Sequence, residues 1–355
     1  MAEIMNNFFN IMSTVVNILI ALFAFGVMIF VHEIGHLVAA KLNKIRVNSF
    51  AIGMGPTLFK FKKGETEYHL KLLPIGGYCQ MEGEDAESED ERAFNKKKVW
   101  RRVTVIVGGA LMNILLGFII LIIMYAPAEA FYTTTIAAFA KDAKSESTGL
   151  KVGDRIISVN KSAVWSYLDI DFNILRDADA KVDFEVVRDG EKVALNGVTF
   201  DTQSIEGGKN VFVKDFGIAS KEKTFFGLIK EAGIRTVSIV RLVWASLFDM
   251  ITGRYGLNEM SGPIGTINAT AQSVNFGWQN FLFIVALITI NLGTFNLLPI
   301  PALDGGRLVF LAIEAIRRKP IKPEYEGYVH MAGFALLILL IVVVSFNDVL
   351  QLIRG

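Results

Sequence analysis

In the stretch Val27-Met28-Ile29-Phe30-Val31-His32-Glu33-Ile34-Gly35-His36-Leu37-Val38-Ala39-Ala40, two imidazoles and a carboxylate interrupt an apolar run. The run reaches back to Val15 and exceeds the roughly 20 apolar residues that a helix needs to cross a bilayer. Ionisable groups at such depth are costly and are retained for a task. On a helix, His-Glu-x-x-His places both imidazoles one turn apart on one face, where they can hold one zinc ion with the carboxylate beside it. The bland alternative is a pair of satisfied core histidines, and hydrocarbon is a poor place for that.

Working outward, the chain of 355 residues is 52% hydrophobic. Its mean hydropathy of +0.43 points to a membrane protein rather than two soluble domains. A formal charge of +1 offers no global attraction to nucleic acid, and none is expected as a partner. A single cysteine, Cys79, excludes a disulfide framework and a multi-thiolate zinc site. Four stretches are apolar enough to span: Val15 to Ala40, Val103 to Ala126, Phe281 to Leu298 and Met331 to Phe346. The first reads as a retained span and not a cleaved signal, because no Lys or Arg precedes Lys41.

Basic residues crowd the loop from Lys41 to Arg102 and recur between the third and fourth spans at Arg307, Arg317, Arg318, Lys319 and Lys322. The positive-inside rule puts both loops in the cytoplasm and both termini outside. The expected segments are 1–40 (first span with the histidine motif), 41–102 (cytoplasmic loop), 103–126 (second span) and 127–217 (outer β domain). They continue as 218–280 (interfacial amphipathic helix and linker), 281–304 (third span), 305–329 (cytoplasmic loop) and 330–355 (fourth span). Within 127–217, Val182-Asp183-Phe184-Glu185-Val186-Val187 before Arg188-Asp189-Gly190-Glu191 is a strand and hairpin turn. Thr224 to Ile251 carries Lys230, Glu231, Arg235, Arg241 and Asp249, which suits an interfacial helix; a fifth span is the competing reading. In the first cytoplasmic loop, Phe50-Ala51-Ile52-Gly53-Met54-Gly55-Pro56 and Tyr68 to Leu72 flank the turn Lys63-Gly64-Glu65, predicting a small sheet at the membrane. The acidic run Glu82 to Glu91 reads as a solvated tether, and Lys96 to Arg102 as a lipid-headgroup anchor.

Two imidazoles do not complete a catalytic zinc site, which takes three protein ligands and keeps a position open. The best third candidate is Asp304, in Asn296-Leu297-Leu298-Pro299-Ile300-Pro301-Ala302-Leu303-Asp304-Gly305-Gly306 at the cytoplasmic end of the third span. The prolines and paired glycines predict an unwound helix end, tolerated at that depth where it lines a wet cavity. A helix-terminal cap is the alternative role for Asp304.

These residues resemble the site-2 protease family (peptidase M50) and, within it, the bacterial RseP/RasP type. The likeness extends over Phe50 to Pro56, Pro74-Ile75-Gly76-Gly77-Tyr78, Thr252-Gly253-Arg254 and Ser261-Gly262-Pro263-Ile264-Gly265. Gly149-Leu150-Lys151-Val152-Gly153-Asp154-Arg155-Ile156-Ile157-Ser158-Val159-Asn160 is similar to a PDZ domain, and the length leaves room for one. One departure, Gly108-Gly109-Ala110-Leu111-Met112-Asn113 where the family commonly has Ala-Gly-Pro before a helix Asn, is expected to bear on helix packing and to touch no ligand. The resemblance implies a polytopic α-helical membrane protein with an extracytoplasmic PDZ domain, in the bacterial cytoplasmic membrane, with its active site near the cytoplasmic side. It implies one Zn2+ held by His32, His36 and Asp304, with Glu33 as general base. The substrates it implies are single-span membrane proteins, such as anti-sigma factors or signal-peptide remnants, held extended by an edge strand at Phe50, Ala51, Ile52, Gly53, Met54 and Gly55. Asn296 is expected to donate to the substrate backbone or oxyanion, an interhelical hydrogen bond being its alternative role. The outer domain would take a peptide or tail as ligand, or exclude bulky substrates. Two rival functions are a metal or proton transporter and a catalytically silent PDZ scaffold.

Overall fold

The computed structural model describes residues 2–84, 86–176, 181–205, 209–254 and 261–354. The chain forms two compact units, Met1–Ile120 with Leu247–Gly355 and, between them in sequence, Leu121–Ser246. Among the described residues four helices are long and apolar enough to span a membrane, over Ile11–Leu42, Val99–Tyr125, Trp278–Asn296 and Glu324–Gln351. This is a membrane protein with an added β domain.

The first unit begins with α1 (Ala2–Leu42). Strands β1 (Val47–Lys63) and β2 (Thr66–Met81) follow, joined at the expected turn, where Gly64 has φ +63°. The pairing is not that of a simple hairpin. Ser49 to Ile52 pair on one side with Glu67 to Leu70 and on the other with Gln80 to Gly77, while Thr57 to Lys63 pair with Lys71 to Thr66. Strand β2 thus folds back around β1, and the lateral order of segments is 57–63, 66–71, 47–52, 77–81. The glycines at 76 and 77 belong to this fold-back; Gly76 has φ +81°, open to glycine at little cost. Ala40, Ile45, Val47, Met81, Phe94, Val105, Ile106 and Leu311 form a buried cluster. It clamps the root of the hairpin to α1, to α2 (Val99–Tyr125) and to the later helix that contains Leu311.

The second unit holds β3 (Ala130–Phe139), α3 (Lys144–Ser147), β4 (Arg155–Val159), β5 (Ser162–Ala163), α4 (Tyr167–Leu175), β6 (Lys181–Arg188), β7 (Glu191–Thr199), β8 (Asp201–Ile205), β9 (Lys209–Val213) and β10 (Phe216–Glu222). The main sheet runs β10-β3-β4-β6-β7 with β5 beside β4, and β8–β9 form a separate hairpin. Alternating inward residues, including Ile156, Val182, Phe184, Val186 and Phe216, build its core. Arg188 grips the fully buried Asp154 with both carboxylate oxygens at 2.7 Å.

Helix α5 (Phe225–Ile251) is not one of the four apolar helices. Three of its charged side chains, Glu231, Arg235 and Arg241, have partners within the second unit. Arg235, fully buried, lies between the rings of Tyr125 and Tyr167, 4.4 Å from each centroid, and pairs with Glu231 at 3.1 Å. Ser238 donates to Asp169 at 2.9 Å, and Arg241 donates to the Ala163 carbonyl and stacks on Trp165. The β domain is therefore tied to the helix that follows it, and the compact unit is wider than the segment 127–217. The first unit resumes with α6 (Pro263–Asn275), α7 (Trp278–Asn296), α8 (Asp304–Arg317) and α9 (Pro323–Arg354).

Candidate metal centre

His32 and His36 project from α1 and Asp304 opens α8; their ligand atoms lie within 4.8 Å of one another. The two Nε2 atoms are 3.2 Å apart, and Asp304 Oδ2 is 3.2 Å from His32 Nε2 and 3.4 Å from His36 Nε2. Ligands on a tetrahedral zinc at 2.0–2.1 Å stand about 3.3 Å from each other. The second nitrogens explain why three lone pairs can converge. His36 Nδ1 lies 3.0 Å from the Val105 carbonyl, a pure acceptor, so its proton sits on Nδ1 and Nε2 is free to ligate. His32 Nδ1 faces the side-chain amide of Asn113 at 3.3 Å, and Asn113 Oδ1 is buried with no hydrogen-bond partner. Turning the amide over presents Oδ1 to His32 Nδ1–H, which satisfies the orphan and frees His32 Nε2 in the same step. Asp304 Oδ2 is buried and accepts no ordinary hydrogen bond. This donor set fits a cation and little else.

Space for the ion is kept by α2. A Cβ on Gly109 would lie 2.8 Å from both Cε1 and Nε2 of His32. Gly35 and Gly108 let α1 and α2 approach backbone to backbone there. The expectation that the Gly-Gly-Ala segment touches no ligand is corrected: Gly109 lies against both imidazoles, and Asn113, one turn further, bonds to one of them. Neither was singled out as functional, although a buried Asn in an apolar helix is itself a signal.

The centre opens into a cavity of about 880 Å3, lined among others by Glu33, Gly77 to Met81, Glu84, Arg307 and His330. Glu33 follows His32 directly, and a Cβ on Gly77 would come within 3.0 Å of its side chain. Five consecutive β2 residues line the cavity, so their main chain faces it; side chains alone would alternate. The six residues Phe50 to Gly55 lie elsewhere in the sheet. Phe50, Ala51 and Ile52 have neighbours on both sides, and Phe50 and Ala51 are buried, so their backbone is already used. Gly53, Met54 and Gly55 form a bulged stretch opposite Leu73, with φ +85° and +84° at the glycines, and none of the six lines the cavity. Asn296 ends α7, half-buried, and is also absent from the lining. Between α7 and α8 the chain is unwound over 297–303, and Gly305 packs under the carbonyls of Leu297 and Leu298 where a Cβ would clash. Burial pushes the Cys79 thiol, on the cavity wall, well above its ordinary range, with Glu84 and Glu33 adding to the effect.

The family model described as Peptidase family M50 matches residues 20–340. The chain belongs to peptidase family M50. Among similar M50 proteins, one from Clostridium acetobutylicum, provisionally named a zinc metalloprotease, is 36% identical over 94% of this chain and 97% of its own length. Zinc metalloprotease RasP of Shouchella clausii is 32% identical, covering 95% and 99%. The regulator of sigma-W protease RasP of Bacillus subtilis is 31% identical, again over 95% and 99%. This M50 chain is accordingly a membrane zinc metalloprotease, and the donor set above suits that metal.

Proposed function

We propose that His32, His36 and Asp304 hold the zinc, that Glu33 is the general base, and that the protein hydrolyses peptide bonds within transmembrane segments of single-span proteins. The carrying observation is a three-atom ligand set at tetrahedral spacing, two ligands projecting from an apolar helix and the third opening the helix that follows another, beside a strand that lines the same cavity. Zinc, when bound, supplies Lewis-acid polarisation of the scissile carbonyl and makes water easier to deprotonate. Glu33 takes the proton of the attacking water and returns it to the leaving amine. A helical substrate hides its peptide bonds in internal hydrogen bonds and must be unwound first. The arm from Gly77, rather than Phe50 to Gly55, offers main-chain groups on its outer side to which an unwound segment adds as a further strand, up to Met81, whose N–H donates to Glu84.

The basic loops support a cytoplasmic hairpin, with the β domain, of PDZ type, and both ends of the chain on the outer face of the bacterial cytoplasmic membrane. A relative is named regulator of sigma-W protease, which supports regulatory membrane proteins as substrates; anti-sigma factors and signal-peptide remnants are the two classes proposed. The test is co-expression of wild type or Glu33→Gln in the native host, followed by comparison of accumulated membrane peptides. Glu33→Gln is expected to lose cleavage by at least about 100-fold while keeping its zinc, and Asp304→Asn to lose both. Unchanged cleavage in either variant overturns the assignment.

A further inference from the structure

The ligand Asp304 is delivered by the connection 297–303, whose last turn is under local strain. Ala302 has φ +75°, the left-handed region that a residue with a Cβ rarely adopts. Something must hold it there. Its N–H donates to Nδ1 of His330 on α9 at 3.0 Å. One turn further along the same face of α9, Gly333 meets Pro301: a Cβ there would come within 2.9 Å of the Pro301 carbonyl. The two α9 contacts thus fall on the consecutive residues Pro301 and Ala302, just ahead of Leu303 and the ligand. The ring of His330 is itself braced by Phe310 of α8, centroid to centroid 5.8 Å, and it lines the cavity with Ala302, Leu303 and Asp304. With Nδ1 accepting, the neutral ring carries its proton on Nε2, which lies 3.8 Å from Glu326 Oε1 on α9.

We propose that His330 is a positioning residue of the zinc site: by accepting the Ala302 N–H it locks the left-handed turn that aims Asp304 Oδ2 at His32 and His36. This rests on the reading of Asp304 as a ligand. What the role requires is an acceptor at the Nδ1 position, not an imidazole. Asn places Oδ1 at nearly that point, Gln carries its oxygen about one bond too far, and Leu has none.

The full chain is purified in detergent as wild type, His330→Leu, His330→Asn, His330→Gln and Asp304→Asn. Zinc retention is measured against graded chelator, and the visible spectrum is recorded after loading with Co2+. His330→Leu is expected to weaken zinc retention about 10- to 100-fold and to shift the cobalt bands; His330→Asn restores both, and His330→Gln restores neither. Zinc held by His330→Leu as tightly as by wild type, or Gln serving as well as Asn, overturns the proposal. If His330→Leu fails to fold, the Asn and Gln pair carries the test. Asp304→Asn separates the two claims: full zinc in that variant refutes the ligand reading, whereas zinc lost there but kept in His330→Leu refutes the role of His330 alone.

Discussion

At the scale of single residues, the centre depends on groups that never touch the reacting bond. With its amide turned over, Asn113 holds the His32 proton on Nδ1, so Asn113→Leu should lower zinc affinity about 10- to 100-fold, read by competition with a chelator. Asn113→Asp keeps an acceptor and should lose less. Gly109→Ala inserts a methyl where the imidazoles sit and should leave a folded protein with little zinc, measurable by metal analysis beside the helical circular dichroism. Cys79 gives a pH-dependent prediction. Its thiol is pushed up, so thiolate appears only at higher pH than for a free cysteine. Alkylation followed by mass spectrometry should be slow at pH 7 to 8 and still rising where an ordinary thiol has levelled off; a rate that plateaus early would contradict the burial described. The histidine motif was legible in the sequence because its partners are four residues apart, within one turn of helix. Asn113 and Gly109 were not, because they meet His32 across 81 and 77 positions of chain, and only the crossing of α1 and α2 brings them there.

At the scale of elements, the hairpin shows what periodicity can and cannot reveal. Its two strands and turn could be read from alternation and from Lys63-Gly64-Glu65. Which arm stays open could not, because both flanks of Ser49 to Ile52 attract partners and the outcome turns on how Gly76 and Gly77 bend β2 back. The open arm begins at Gly77, wedged between the Ala51 carbonyl and Glu33. Gly77→Val should push the arm away from the base by a fraction of an ångström to an ångström, costing about 100-fold in kcat/KM with zinc content intact. A variant that cleaves normally would return the edge role to another segment. The unwound link to α8 was legible for the opposite reason: Pro299, Pro301, Gly305 and Gly306 constrain the backbone locally, whatever surrounds them.

At the scale of the whole molecule, four apolar helices and one β domain follow from composition and from the spacing of charges. Helix α5 stands apart from the four apolar helices because of its polar groups, several of which have partners: Arg235 between two tyrosines and beside Glu231, Arg241 on Trp165, Ser238 on Asp169. Apart from Glu231, one turn away on α5 itself, those partners stand far off in sequence, on α2, α4 and the turn before α4, and no pattern in the sequence named them. Arg235→Leu removes one member of a buried ion pair and both cation–π contacts, and should destabilise the Leu121–Ser246 unit by about 3 kcal/mol. The readout is faster limited proteolysis within that unit, with zinc content unchanged.

If the Gly77–Met81 edge receives the substrate as proposed, it has a consequence for which proteins are consumed. Main-chain donors and acceptors are the same in every polypeptide, so such an edge has almost no vocabulary of side chains with which to choose a victim. What differs among candidate spans is the cost of surrendering their own helix. A glycine lowers that cost by about 1 kcal/mol and a proline by about 3 kcal/mol relative to alanine. Selection would then resemble a melting assay: resident proteins would survive because their helices are robust, and a condemned span would be marked by fragility rather than by a recognition sequence.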